Sequence, residues 1–170
     1  MNLFKPALLG VATAAIALSA CTSNKTVEET ASGLNPARFD SIVNNKKTAL
    51  FTLKNKNGME VCITNFGARI VSIMVPDRKG VMHDVVLGYD NIAQYADRVN
   101  FASDFGAAIG RYANRINKGQ ITVDGKTIQL PQNNYGHCLH GGPTGWQYQV
   151  YDGRQLNDST LQMTLLSPDG

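Results

Sequence analysis

From Lys46 onward the chain alternates apolar and polar residues in short runs, the two-residue period of half-buried β-strands. Ala49–Lys54, Met59–Thr64 and Ile70–Val75 are the first three runs, with Val61 and Ile63 on one face of the second. Asn57-Gly58 between the first two is a strong hairpin signal. Pro76-Asp77-Arg78-Lys79-Gly80 reads as a turn, and Asp84–Leu87 as a fourth strand. Gln120–Val123 and Thr127–Leu130 flank Asp124-Gly125, a second hairpin. Gln147–Tyr151 and Leu161–Leu166 complete the series, and only Asp90–Ala96 reads as helical, with Asp90 or Asn91 as its N-cap. Short strands separated by turn dipeptides predict an all-β fold, an antiparallel sandwich or barrel.

The N-terminus follows a different pattern. Lys5 precedes an apolar run from Ala7 to Leu18, and Leu18-Ser19-Ala20-Cys21 follows. Small residues before a cleavage point match a secretory signal peptide. An aliphatic residue, two small ones and a Cys also resemble the lipobox of bacterial lipoproteins. That resemblance implies cleavage before Cys21, acylation of Cys21, and a place in the bacterial cell envelope, on the periplasmic side or at the outer membrane. A plain secretory signal with an incidental Cys is the alternative. Residues 22–35 are polar, small and aperiodic, and read as a tether. The expected organisation is a signal peptide over 1–20, lipidated Cys21 with a flexible tether over 21–45, and a folded domain over 46–170.

Composition narrows the function. The 170 residues are 43% hydrophobic and 17% charged, a foldable composition. The net charge of +3 is small and scattered, which gives no footing for nucleic acid. Cys21, Cys62 and Cys138 show no paired zinc or redox spacing. Cys62 and Cys138 are open to pairing in an oxidising compartment, although the apolar strand around Cys62 suits a buried free thiol. The last residues, Leu165-Leu166-Ser167-Pro168-Asp169-Gly170, read as a strand followed by a turn that awaits another strand, hence as a truncation; a frayed terminus is the alternative.

Two segments carry candidate chemistry. Residues 105–119 include Arg111, Asn114 and Arg115 in an apolar context bounded by glycines, where Gly106 and Gly110 permit close backbone approach. Asn114 offers a donor and an acceptor and Arg115 a fork of donors, suited to vicinal hydroxyls; a structural ion pair is the alternative for Arg115. Residues 130–142 place His140 before Gly141-Gly142, and a neutral His both donates and accepts. His137, Cys138 and His140 lack a second ligand cluster, so no metal is expected. His83-Asp84 lacks a partnered nucleophile. Trp146 with Tyr148 suggests a stacking platform or, more simply, strand packing.

Together these segments resemble the aldose 1-epimerase (galactose mutarotase) family. The resemblance rests on Asn65-Phe66-Gly67-Ala68-Arg69-Ile70-Val71 with Val75-Pro76-Asp77-Arg78, on Asp84-Val85-Val86-Leu87-Gly88-Tyr89, on Gly110-Arg111-Tyr112-Ala113-Asn114-Arg115-Ile116, and on Leu139-His140-Gly141-Gly142. It implies a large antiparallel β-sandwich, of which this chain is about the N-terminal half, and interconversion of the α and β anomers of aldohexoses such as galactose and glucose. It implies no cofactor. In that reaction a base takes the anomeric hydroxyl proton while an acid protonates the ring oxygen. The family uses a second His as acid and a Glu as base, and no position here matches either. By resemblance Asn114, Arg115 and His140 bind and orient the sugar, and His140 helps polarise ring opening. The chain alone is expected to be inactive. A non-catalytic, lipid-anchored carbohydrate-binding module is the alternative.

Overall fold

The computed structural model describes residues 29–168. The expected signal peptide, Cys21 and the tether up to residue 28 lie outside that range. The described part of the tether is built into the fold. Glu60 is a buried carboxylate that accepts the Ala31 N–H at 2.6 Å, which fastens the first described residues to a strand. Pro36–Phe39 forms a 3-10 turn with Asn35 accepting from the Ala37 N–H, and Phe39 is wholly buried. Strands β1 (Ser41–Val43) and β2 (Lys46–Thr48) pair around Asn44-Asn45, both at positive φ as a tight two-residue hairpin requires. The tether boundary at residue 45 therefore moves back. Residues 36–45 look polar because only Phe39 carries their burial, and one buried residue makes no period.

The main sheet is antiparallel with order β3-β4-β5-β6, over β3 (Leu50–Lys54), β4 (Glu60–Thr64), β5 (Arg69–Pro76) and β6 (Met82–Asp84). β4 alternates buried and half-buried positions along its length, as the pattern predicts. β6 sits two residues earlier than expected. The Asp84 carboxylate accepts from the Ile73 and Val86 N–H groups, so the strand ends there and Val85 and Leu87 lie exposed. Helix α1 (Ile92–Ala96) is capped by Asn91, which accepts from the Gln94 N–H at 3.0 Å.

Further along are β7 (Arg115–Ile116), the hairpin β8 (Gln120–Val123) with β9 (Lys126–Gln129), β10 (Cys138–Leu139) paired to β7, and the hairpin β11 (Asp152–Asn157) with β12 (Thr160–Thr164). Gln147–Tyr151 is not a strand. The Gly142–Gly145 turn runs into a 3-10 turn over Trp146–Tyr148, and only Val150 makes a single bridge, to Phe66. The core joins Leu34, Phe39, Cys62, Phe66, Val71, Ile92, Tyr95 and Val150. Cys62 and Cys138 are both buried free thiols, and burial pushes Cys62 above the usual thiol range. The described residues form antiparallel sheets with one short helix, the all-β class expected.

Candidate active site

The β7–β10 pair is only two residues long, Arg115 opposite Leu139 and Ile116 opposite Cys138. Just beyond it Asn114 faces His140. The Asn114 N–H donates to His140 Nδ1 at 2.9 Å, and the His140 N–H returns to the Asn114 carbonyl at 3.0 Å. Both residues sit in the left-handed region, at φ 63° and 55°. Asn and His tolerate that region better than most residues with a Cβ. His140 and Gly141 are the centre of a tight turn closed by the Gly142 N–H on the Leu139 carbonyl at 2.9 Å.

Since Nδ1 accepts, the neutral His140 ring carries its proton on Nε2 and offers it as a donor. Arg115 is exposed; its Nε donates to Asn134 Oδ1 at 2.9 Å and one terminal nitrogen reaches Asn114 Oδ1 at 3.4 Å. Asn133 pairs with both the N–H and the carbonyl of Leu139, standing in for a missing strand neighbour. The three residues singled out in the sequence therefore converge, with Asn114 and Arg115 exposed and His140 half-buried. They line neither the groove of about 670 Å³ between Lys54–Lys56 and Gln155–Ser159 nor the cleft of about 300 Å³ beside Arg98, Pro143 and Tyr148.

Glycines let the backbones close behind this face. A Cβ on Gly141 would strike the Gly110 carbonyl, and one on Gly110 would strike the Trp146 ring. Trp146 thus packs on backbone, and Tyr148 lies under the Arg98 guanidinium at 4.5 Å, so neither forms a stacking platform. Burial raises the Tyr148 hydroxyl above its ordinary range, with the nearby Asp104 adding to the rise. His137 is apart from His140, with Nδ1 accepting the Lys118 N–H at 3.1 Å. His83 pairs with Asp77 at 3.7 Å rather than with Asp84. Arg111 turns away and donates to Ser167 Oγ at 2.8 Å and to the Pro168 carbonyl.

Two residues beneath the site, Arg69 and Gln147, are given no role by the sequence. Arg69 is wholly buried on β5, its guanidinium 4.8 Å from the Tyr95 ring centre and donating to the Ser103 carbonyl at 2.8 Å and the Gln147 carbonyl at 3.3 Å. Burial lowers its pKa, against a raising influence from Tyr95 and Asp104. Gln147 is buried beside it and donates to the His140 carbonyl at 2.9 Å.

Comparison with known proteins bears on the family of the chain. Residues 49–170 match the sequence model of the family described as aldose 1-epimerase. A probable aldose 1-epimerase from Arthroderma benhamiae is 40% identical over 112 residues, 64% of this chain and 26% of the relative. Galactose mutarotase from Bos taurus is 39% identical over 66% of this chain and 32% of its own length. Aldose 1-epimerase from Escherichia coli is 36% identical over 71% and 34%. Among solved structures, galactose 1-epimerase from Lactobacillus acidophilus superposes with a TM-score of 0.64 at 31% identity, over 76% of this chain and 37% of that one. An aldose epimerase homologue from C. elegans gives 0.65 at 30% identity, over 69% and 35%. The matched region spans about a third of the length of these relatives or less. The chain belongs to the aldose 1-epimerase family.

Proposed function

We propose that this chain supplies the sugar-orienting part of an aldose 1-epimerase acting on aldohexoses such as galactose and glucose. The observation that carries the reading is the mutual lock of Asn114 and His140 beside Arg115. It sets an imidazole N–H, a guanidinium and an amide on one exposed face, the donor types that vicinal hydroxyls and a ring oxygen accept from. Family membership and the named galactose mutarotases support the substrate class. His140 Nε2–H polarises the ring oxygen, while Asn114 and Arg115 hold the hydroxyls in register for ring opening. The proton exchange needs an acid and a base, and these three residues supply neither. The 170-residue chain is therefore expected to orient sugar without turning it over.

A carbohydrate-binding role for the chain by itself is the second reading, favoured because the lock is complete within residues 114–140. On both readings Cys21 is lipidated and the domain is held at the cell envelope; the Leu18-Ser19-Ala20-Cys21 pattern supports this. The decisive experiment is paired. Polarimetry on freshly dissolved α-D-galactose should show no rate above buffer, and galactose should shift amide resonances at 114, 115 and 140 with the response lost in Arg115→Ala. A rate above buffer that His140→Ala abolishes would overturn the expected inactivity. No spectral response to saturating sugar would sink the sugar-orienting reading.

A further inference from the structure

Gln147 is 1% exposed, and its amide is enclosed by backbone. A Cβ on Gly145 would collide with the Gln147 amide and with the His140 carbonyl, and a Cβ on Gly67 with the Gln147 carbonyl. One amide arm is used: Nε2–H donates to the His140 carbonyl at 2.9 Å. That bond sets the orientation of the amide, because a flip would press Oε1 against the same carbonyl. The other arm is idle: among the described residues Oε1 has no hydrogen-bond partner, and neither has Nε of Arg69. An apolar side chain of similar shape would avoid burying an unsatisfied oxygen. Among the described residues, the hydrogen bond that the amide makes is the one it donates to the His140 carbonyl.

His140 has use for that bond. A residue with a Cβ at φ 55° stays there only when its surroundings over-determine it. Two of its restraints come from Asn114, one on the N–H and one on Nδ1; the third, on the carbonyl, comes from Gln147. Gln147 is itself braced by Arg69, whose terminal nitrogen donates to the Gln147 carbonyl at 3.3 Å while its plane lies against Tyr95. We propose that Gln147, braced by Arg69, is a positioning residue that holds His140 in its left-handed turn with Nε2–H directed outward to the sugar. This rests on the sugar-orienting reading of Asn114, Arg115 and His140.

The test is made on the 170-residue chain with ¹⁵N-labelled histidine, alongside Gln147→Met and Gln147→Glu. In the unsubstituted chain the two His140 ring nitrogens should give widely separated shifts, those of a ring protonated at Nε2 with Nδ1 accepting. In Gln147→Met the separation should fall by at least half while backbone amide dispersion is kept. Gln147→Glu guards against misfolding of the Met variant, since its carboxylate gives the buried Arg69 a countercharge. It presents an acceptor to the His140 carbonyl and should lose the separation too. Unchanged separation in a folded variant, or averaged shifts already in the unsubstituted chain, would overturn the positioning role. Galactose is then added to the same samples. Loss of separation in the variants with no sugar response in any sample supports the positioning role and overturns the sugar reading alone.

Discussion

Asn114 and His140 hold a conformation that costs about 1–3 kcal/mol apiece, and each is the other's main restraint. Such paired strain is retained where the direction of a side chain matters more than local stability. Neutral burial matters at other residues. Burial raises the pKa of Cys62, Tyr95 and Tyr151, and of Tyr148 together with Asp104, above the ordinary values of 9.0 for the thiol and 10.0 for the phenols. Unfolding returns these groups to water, so at alkaline pH the unfolded chain gives up protons that the folded chain keeps. The contribution is intact below about pH 9 and is lost as pH rises beyond it. The urea midpoint should fall between about pH 8.5 and 10.5; a flat or rising midpoint would contradict the burial of these residues. At this scale the sequence singles out Asn114, Arg115 and His140 by residue type, and the fold brings the three together. The sequence assigns no role to Gln147 or Arg69, whose side chains donate to the His140 and Ser103 carbonyls, partners that residue type does not signal.

Among the elements, the legible ones are those whose turns are written in residue types. Asn57-Gly58 and Asp124-Gly125 located β3–β4 and β8–β9 to within a residue or so. β11 was not legible because it is exposed at nearly every position and shows no period; its place is decided by pairing with β12. The stretch after Gly145 reads as a strand by composition, yet consecutive turn hydrogen bonds from Gly145, Tyr148 and Gln149 coil it instead. The 3-10 turn at Pro36–Phe39 falls inside the expected 21–45 tether, although the polar stretch itself ends near Asn35. Phe39 packs in the core with its ring 6.4 Å from that of Tyr95. Phe39→Ala should therefore destabilise the chain by about 3–5 kcal/mol in urea unfolding, whereas a change in a tether would stay within about 0.5 kcal/mol.

For the molecule as a whole, the core is concentrated on the four-stranded sheet, α1 and the segment before β1. The hairpins β8–β9 and β11–β12 are mostly exposed, and Val85, Leu87, Val99 and Phe105 lie open to solvent. On the envelope reading, the protein made in a bacterial host should incorporate labelled fatty acid and partition into detergent, and Cys21→Ser should do neither. An unlabelled chain would refute the anchor.

One feature of the site makes it observable. The chain has a single tryptophan, and its ring rests on Gly110, whose carbonyl accepts the Trp146 N–H at 3.1 Å and limits the space at Gly141. All indole emission from this protein thus originates one residue from Gln147 and against the backbone that backs the His140 turn. Shifts in its wavelength or quenching report on that turn without any label, with no second fluorophore of its kind to subtract.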